Sequence, residues 1–205
     1  MTTQNVYATA VRPGWRTRIA GPLAQRARAK RRRMYLELMG PAPEERVLDV
    51  GCGSVGLVTL DVPGRVTGTD RVDRPGYPGE RFVQADAREL PFTDGEFDIA
   101  YSNSLIEHVP PADRPRVAAE MARVGRRLFV QTPNRWFPVE PHALLPVVHW
   151  LPRRLGRRLW QLGVTGEPFD DIHLLDAREL RRLYPDARIV RERIGPLTKS
   201  LIAVR

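Results

Sequence analysis

A run of glycines after a strand-like segment is the part of this sequence best suited to bind a ligand. Residues 47–56 read Val-Leu-Asp-Val-Gly-Cys-Gly-Ser-Val-Gly, so an aliphatic stretch with one acid breaks into a glycine turn. Glycine has no Cβ and tolerates positive φ, which lets the backbone turn sharply and approach a ligand closely. At the end of a parallel strand, such a turn marks the crevice where open α/β sheets bind nucleotides. The segment therefore predicts a nucleotide-type cofactor site.

Acidic residues near the turn distinguish between two possible cofactors, NAD and a cofactor with a positively charged group. The segment from Gly51 to Gly56 formally matches the G-x-G-x-x-G pattern, with Asp70 at a suitable distance for ribose hydroxyls, and an NAD-binding domain would show the same pattern. Asp49, however, precedes the first glycine, and Asp86 ends a further strand-like run. A carboxylate at Asp49 disfavours a pyrophosphate and suits a ligand with an ammonium or sulfonium group. The acids therefore favour a cationic cofactor over NAD.

Taken in order, these motifs and the run 95–109 closely resemble those of the class I S-adenosylmethionine-dependent methyltransferases, in particular the subgroup with the quinone-biosynthesis enzymes. The similarity runs from about Val47 to Asn134. It implies S-adenosylmethionine as the cofactor. It also implies contacts of the methionine portion with Asp49, Gly51, Cys52 and Gly53, of the ribose with Asp70, of the adenine side with Asp86 and Ala87, and of the sulfonium end with Asn103. The chain departs from the family in the missing helix after Asp70, so we expect Arg71 and the loop 71–79 to replace the usual adenine-side contacts.

Two histidines are candidates for the residue that handles the methyl acceptor. A base is needed only if the acceptor must lose a proton. His108 follows the fourth strand, with Glu107 adjacent, and His142 follows the fifth strand, near Glu140. In the resembling family the position of His108 lies near the reaction centre. The alternatives are a packed histidine in the pocket wall and a loop that is merely anchored on the sheet.

The chain between residues 135 and 165 predicts an insertion on the substrate side. Within 143–162, aliphatic residues and tryptophans interleave with Arg153, Arg154, Arg157 and Arg158. A basic amphipathic pattern of this kind is typical of segments that lie in a membrane interface. It equally suits a lid over a bulky acceptor or a contact between two copies of the chain, and these three interpretations stay open.

The sequence predicts no metal centre. Cys52 is the only cysteine, which excludes an internal disulfide and a zinc site made of several cysteines. His173 lies beside Asp170 and Asp171, but no fourth ligand is near them in the sequence. A solvated loop before a helix explains this group better.

Short apolar runs alternate with helical patterns, which predicts a Rossmann-like α/β fold. Seven strands are expected, at 46–50, 65–69, 81–85, 97–101, 127–131, 187–192 and 199–204. The link between the last two is too short for a crossover helix, so we expect a mostly parallel sheet with an antiparallel last strand. The early crossovers are short, and 70–80 is typical of a loop. Helices are expected at 16–40 with an interruption at Gly21-Pro22, at 114–124, and at 176–184 with Asp176 as N-cap.

Length and charge give further expectations. A chain of 205 residues suits one domain, and we expect a basic helical segment over 1–45 and a methyltransferase domain over 46–205. The formal net charge is +9, but only Lys30 and Lys199 among the 33 basic residues are lysine, so the excess also fits an arginine-rich composition. The sequence shows no secretory signal and no bilayer-spanning run, which predicts a cytoplasmic protein. Peripheral membrane contact would involve 143–162.

The resemblance implies a methyltransferase that acts on a small or lipid-linked acceptor, at oxygen or carbon. The basic charge also suggests a nucleic-acid methyltransferase as an alternative. The sequence, however, has no Asn-Pro-Pro-Tyr-like run for methylation of base amines and no second cysteine for methylation at carbon 5. A non-catalytic, cofactor-binding partner subunit is a third interpretation, which the shortened early crossovers leave open. A homodimer is compatible with the sequence.

Overall fold

The structure is a computed structural model that describes the backbone of residues 15–205 and the side chains of residues 25–205. Of the basic helical segment expected over 1–45, residues 1–14 lie outside the described residues, and a helix begins at Trp15.

A seven-stranded sheet forms the centre of the protein. Its strands are β1 (Arg46–Val50), β2 (Arg65–Asp70), β3 (Arg81–Gln84), β4 (Phe97–Asn103), β5 (Gly125–Pro133), β8 (Arg188–Ile194) and β9 (Leu197–Val204). Their order in the sheet is β3-β2-β1-β4-β5-β9-β8. Neighbouring strands from β3 to β5 are parallel, and β9 is antiparallel to both β5 and β8. The predicted mostly parallel sheet with an antiparallel last strand is confirmed.

Four α-helices accompany the sheet in the described part of the chain: α1 (Trp15–Met39), α2 (Arg114–Val124), α3 (Arg153–Trp160) and α4 (Ala177–Leu183). Asp176 caps α4 as predicted, because its carboxylate accepts hydrogen bonds from the amides of Arg178 and Glu179, both at 2.9 Å. The predicted interruption at Gly21-Pro22 is wrong, since α1 is continuous there. A proline removes a single donor from the helical ladder, and the well-packed second half of α1 supplies a nucleus from which the helix propagates past it.

The early crossovers are as short as predicted. A short 3₁₀ helix, Gly56–Leu60, lies between β1 and β2, and residues 71–80 contain turns and no helix. The second half of α1 covers the sheet face that these crossovers leave open. Tyr35 is fully buried there, with its ring edge-on to Tyr101 and Phe129 at 5.4 and 5.3 Å.

Charged side chains attach α1 to the sheet. Arg127 on β5 donates to both carboxylate oxygens of Glu45 at 2.6 and 2.7 Å and to the carbonyl of Met39 at 2.6 Å. Arg31 donates to Gln131 at 3.1 Å, and Lys30 donates to the carbonyl of Arg193 at 2.6 Å. Part of the basic charge is therefore used inside the fold.

The opposite sheet face carries the larger apolar core. Helices α2 and α4 pack there over β1, β4, β5 and β9, and the core includes Leu48, Phe97, Ile106, Val117, Met121, Val124, Leu128, Leu180 and Leu201. This packing fixes the carboxyl ends of β4 and β5, from which the candidate site is built.

The predicted insertion has a small core of its own. Strands β6 (Val139–Glu140) and β7 (Leu145–Pro146) form an antiparallel pair, and α3 follows them. Ala143, Val148 and Trp160 are buried together beneath Leu145, Leu159, Phe169 and Ile172. The 143–162 segment is thus folded on itself and not a single amphipathic helix. Over the described residues, every helix is too short or too polar to cross a bilayer.

Candidate functional site

The sheet reverses its winding between β1 and β4. From β1 the chain continues to β2 on one side, and from β4 it continues to β5 on the other. Loops after two such strands diverge and leave a crevice at the carboxyl edge. The glycine turn follows β1, and Asn103 ends β4, so both predicted elements meet at this edge.

The glycine turn has the backbone conformation that its sequence predicts. Gly51, Gly53 and Gly56 all have positive φ, at +73°, +57° and +44°. The amides of Gly51 and Cys52 donate to the carbonyl of Thr69 at 2.8 and 3.1 Å, which attaches the turn to β2. A Cβ at Gly53 would meet nothing within 4 Å, so the backbone there is open to an approaching ligand.

The buried side chain of Asp49 stabilises the glycine turn by a hydrogen bond. Its Oδ2 accepts this bond from the Leu57 amide at 2.5 Å. Only glycine fits at position 56, because a Cβ there would lie 1.9 Å from this oxygen. Burial raises the pKa of Asp49 to about 7, although the Leu57 amide and the Tyr77 hydroxyl lower it. The carboxylate caps the 3₁₀ helix, and its predicted contact with the cofactor amino group stays a prediction.

Asp70 joins the turn to the loop after β2. Its Oδ2 accepts from the Gly53 amide at 3.0 Å, and its Oδ1 accepts from the Val72 amide at 2.9 Å. Arg74 donates to Oδ2 at 3.3 Å. The sequence analysis missed Arg74. This residue reaches the Asp70 carboxylate only because residues 71–80 form a loop that turns back, where a doubly wound fold would normally have a helix. Asp70 thus lies at the carboxyl edge of the sheet, and its predicted contact with ribose stays a prediction.

Tyr77 from the same loop covers the back of the turn. A Cβ at Gly68 on β2 would lie 2.5 Å from the Tyr77 ring and 2.9 Å from Cys52 Sγ, so the two side chains lie against this glycine. Cys52 is buried, and burial raises the pKa of its thiol. A neutral, packed thiol suits a structural position better than a nucleophile.

Asp86, predicted to face the adenine amine, has a protein partner that the sequence analysis missed. Arg88 donates to both of its oxygens, at 3.0 and 2.7 Å, and also to Asp113 at 2.9 Å. The Arg88 guanidinium lowers the pKa of Asp86 to about 2. Ala87 is half-buried against the core, whereas the Arg71 side chain is exposed. The adenine-side contacts of Asp86, Ala87 and Arg71 stay predictions.

Asn103 presents an unused acceptor at the crevice. Its Oδ1 is buried and has no hydrogen-bond partner among the described residues. The next residue, Ser104, has a positive φ of +57°, and its amide donates to the carbonyl of Gln131 at 2.9 Å. This backbone turn fixes Asn103 at the end of β4. A buried acceptor without a partner fits a residue that contacts a ligand.

The two candidate histidines lie together, as sequence reasoning could not foresee. Their rings are edge to face, with centroids 5.1 Å apart. His142 Nδ1 lies 2.6 Å from Glu140 Oε1, and His142 Nε2 lies 3.9 Å from Glu107 Oε1. We call Glu107, His108, Glu140 and His142 the histidine cluster. It lies beyond the ends of β4 and β5, on the insertion side of the crevice.

Both carboxylates of the histidine cluster are buried and fixed by further bonds. Glu140 Oε2 accepts from the Ala143 amide at 2.6 Å, and Glu107 Oε2 accepts from Thr132 Oγ1 at 3.0 Å. Burial of the ring lowers the pKa of His142, but Glu140 and Glu107 outweigh it and raise the pKa overall. The cluster therefore holds His142 in one orientation with a high affinity for a proton or another cation.

Arg114, at the start of α2, positions the loop that carries Glu107 and His108. This side chain is 2% exposed, and its Nε donates to the carbonyls of Ile106 and Val109, both at 3.1 Å. Its two terminal nitrogens donate to Glu179 and to the carbonyl of His173. The His173 amide also donates to the carbonyl of Glu107 at 2.7 Å. Sequence reasoning missed this arginine because it resembles the many exposed ones.

A cavity of about 370 Å³ opens beside the histidine cluster, between the insertion and the start of α2. Its lining combines charged and aromatic side chains, among them Arg114, Glu140, His149, Trp160, Phe169 and His173. The cavity is large enough for a small organic molecule.

Comparisons with known proteins agree with this architecture. Residues 48–127 match the family described as "Methyltransferase domain". The ubiquinone biosynthesis O-methyltransferase of Bordetella parapertussis is 34% identical over 114 residues, 48% of this chain and 47% of that protein. The demethylmenaquinone methyltransferase of Beutenbergia cavernae is 35% identical over 128 residues, 53% of this chain and 50% of that protein. The chain thus spans about half the length of the curated relatives it matches.

A solved structure extends the similarity to most of the chain. The magnesium protoporphyrin IX methyltransferase of Synechocystis, with bound S-adenosylhomocysteine (SAH), has a TM-score of 0.60 and 15% identity, with 98% of this chain and 91% of that one covered. At this identity the likeness shows the fold alone. Over residues 48–127 this chain is thus similar to the methyltransferase domain, and over most of its length it shares the fold of this methyltransferase.

Proposed function

We propose that this chain binds S-adenosylmethionine and methylates a small acceptor at oxygen. The observation that carries the proposal is the meeting of two groups at one sheet edge. The first is the glycine turn with Asp70 and Asn103, and the second is the histidine cluster beyond β4 and β5. One group suits a nucleoside with a charged tail, and the other suits an acceptor that must lose a proton.

The residues at the edge fit this cofactor. Open space at Gly53 would let a ligand approach the backbone, and the free Oδ1 of Asn103 offers an acceptor. Asp70 would accept from a ribose hydroxyl at Oδ1, which accepts from the Val72 amide and has a second lone pair for a further donor. When bound, the cofactor supplies a methyl group on a positively charged sulfur. The protein has to hold the acceptor in line with that group, which can provide much of the rate enhancement.

Oxygen acceptors are favoured by the histidine cluster. A hydroxyl becomes a good nucleophile only when its proton is removed, and a positioned base contributes to such a step. The buried pair of Glu140 and His142, at 2.6 Å, has the geometry of a carboxylate that orients an imidazole. The named relatives that act on quinone precursors support this interpretation, since one of them is an O-methyltransferase by its name.

Replacement of Asp70 by asparagine should weaken the binding of SAH by about 10- to 100-fold. The reason is that hydrogen bonds to a charged acceptor contribute on the order of 1.5–3 kcal/mol. The amide of asparagine accepts with one atom only, so a diol loses part of its acceptor. Isothermal titration of the purified chain with SAH measures the effect.

The matched control is Asp73→Asn, which changes an exposed acid in the same loop. Its affinity for SAH should equal that of the unchanged protein. If the unchanged, folded chain does not bind SAH, the proposed function is wrong. Equal affinities for the Asp70 and Asp73 variants would remove Asp70 from the cofactor site.

We further propose that the acceptor is apolar or lipid-linked and that residues 135–165 form the substrate-side insertion. Apolar side chains on this segment are exposed and lie outside its small core, including Trp136 at 62%, Leu155 at 45% and Trp150 at 44%. Such side chains can contact an apolar acceptor or the lipid interface in which that acceptor lies. The proposed peripheral membrane contact through 143–162 rests on this exposure.

The double substitution Trp136→Ser and Leu155→Ser should lower binding to anionic vesicles by about 10-fold or more. Each change removes apolar surface that would enter the interface. Co-sedimentation with phosphatidylglycerol-containing liposomes measures the bound fraction. Val72→Ser, which changes an exposed side chain in the loop after β2, should leave binding unchanged. If the unchanged protein stays in the supernatant, the insertion serves as a lid without membrane contact.

The division of the chain at residue 45, a homodimer and a cytoplasmic location are likewise proposals that rest on the sequence. The second half of α1 covers the sheet face over β1, β2 and β4, so residues 34–39 contribute to the core of the domain that follows. We infer that this segment supports the sheet and, through β1, the glycine turn.

A further inference from the structure

Three side chains of the histidine cluster bring potential metal ligands together. One ligand atom each from Glu107, His108 and His142 lies within 4.8 Å of the other two. Two imidazoles and one carboxylate are the ligands of many catalytic zinc sites, which keep a further position open for water or substrate. The sequence analysis predicted no metal centre, because these residues come from two distant segments of the chain.

The two oxygens of Glu107 have different surroundings. Oε2 accepts from Thr132 Oγ1 at 3.0 Å, whereas Oε1 is buried and has no hydrogen-bond partner among the described residues. The side chain is fully buried. A buried carboxylate oxygen without a donor is costly, and it requires an explanation. A cation beside Oε1 would remove this cost.

The orientation of His142 places a second lone pair beside that oxygen. Glu140 Oε1 accepts from His142 Nδ1 at 2.6 Å, which assigns the ring proton to Nδ1 and leaves a lone pair on Nε2. Nε2 lies 3.9 Å from Glu107 Oε1, too far for a hydrogen bond. When the ring is neutral, two acceptors therefore face each other, and the gap between them suits a cation.

We infer that Glu107, His108 and His142 bind a divalent transition-metal ion such as Zn²⁺, with Glu140 as the outer carboxylate that orients His142. Carboxylate–histidine–metal arrangements of this kind fix the ring and strengthen the ligand. In a tetrahedral zinc site, ligand atoms lie about 3.3 Å apart, given metal–ligand distances near 2.0–2.1 Å. The 3.9 Å gap between Glu107 Oε1 and His142 Nε2 is thus within small side-chain movements of a closed site.

The inferred metal site deepens the proposed function. It rests on that function in one respect, namely that the methyl acceptor occupies the open coordination position of the metal. An acceptor hydroxyl bound there would lose its proton to water near neutral pH, because a metal ion lowers the pKa of an oxygen ligand strongly. The resulting oxyanion would form the O–CH₃ bond while the S–CH₃ bond of the cofactor breaks and SAH leaves. Metal binding itself does not depend on this step.

The test uses the full chain, stripped of metal by dialysis against a chelator and titrated with Co²⁺. We expect one ion per chain by elemental analysis and visible absorption bands typical of four- or five-coordinate Co²⁺. Glu107→Gln and, separately, His108→Asn should each weaken Co²⁺ binding by at least about 100-fold, and Glu140→Gln by about 10- to 100-fold. His108 is half-exposed, so its variant stays informative if the Glu107 variant fails to fold.

His173→Gln is the matched control, since His173 contacts this loop through its backbone and should leave Co²⁺ binding unchanged. Two results would overturn the inference: binding of less than one Co²⁺ ion per chain, or a loss of Co²⁺ affinity in the His173 variant equal to that in the ligand variants. In either case, a proton shared by Glu107 and His142 explains their arrangement. Titration of the same samples with SAH separates the two proposals. Metal binding without SAH binding contradicts the proposed function alone, and the reverse contradicts the metal site alone.

Discussion

Replacement of His142 by alanine should lower kcat for methyl transfer by about 10²- to 10⁴-fold, the usual contribution of a group that handles the transferred proton. His142 is the one side chain of the cluster that contacts both buried carboxylates, at 2.6 Å from Glu140 and 3.9 Å from Glu107. Its loss removes proton handling whether the imidazole acts alone or through a bound ion. Affinity for SAH should stay the same, because the glycine turn and Asp70 are untouched.

Steady-state kinetics with a phenolic or quinol acceptor, together with titration by SAH, check this result. Glu140→Gln should give an intermediate loss of kcat, since the ring would keep its place but lose its charged partner. Arg116→Met, which changes an exposed side chain on α2, serves as the control and should keep kcat. Full activity of the His142 variant would show that the acceptor needs no proton removal here, as in methylation at an activated carbon.

Local signals explain why the fold could be predicted so closely. Strand β1 and helix α2 begin and end where the aliphatic runs, the glycines and Pro115 indicate, and the cap at Asp176 depends on residues within three positions. The exception is Gly21-Pro22, where a local breaker was overridden by the packing of the distant half of α1. Tertiary packing outweighs propensity wherever a helix buries a large face.

The site could be predicted only in part, because its contacts are long-range. The glycine turn and Asp70 follow from a contiguous motif, and the structure places them at one edge. Contact between Glu107 and His142 depends on the β6–β7 pair, because His142 lies in the connection between these two strands. Nothing in the local sequence specifies that turn.

Partners of the predicted acids were missed for the same reason. Arg88 joins Asp86 to Asp113, and a neighbouring arginine in this arginine-rich chain gives no signal that it will pair. The Arg88 guanidinium nevertheless changes the chemistry of the site, because it keeps Asp86 ionised far below neutral pH. Burial at Asp49 acts in the opposite direction. The pKa values of two acids that the sequence treats alike are therefore shifted in opposite directions.

Arg114→Met should lower the free energy of unfolding by about 3 kcal/mol, because three backbone carbonyls lose a charged donor and each unsatisfied acceptor costs on the order of 1–3 kcal/mol. The guanidinium is 2% exposed and bonds to two carbonyls of the loop 106–109, to the carbonyl of His173 and to Glu179. A methionine fills similar volume without a donor, so the change isolates the hydrogen bonds from the packing. Urea denaturation followed by circular dichroism measures it.

Arg116→Met on the same helix is the control, because this side chain is 65% exposed and its carboxylate partner lies 3.6 Å away. Its unfolding free energy should change by less than about 0.5 kcal/mol. Arg114→Lys should recover little, since one ammonium cannot reach all four acceptors that the planar guanidinium serves. Equal stability of the Arg114 and Arg116 variants would mean that the loop with Glu107 and His108 is held by its apolar neighbours Ile106 and Val109 alone, and the order of the histidine cluster would then depend on core packing and not on this arginine.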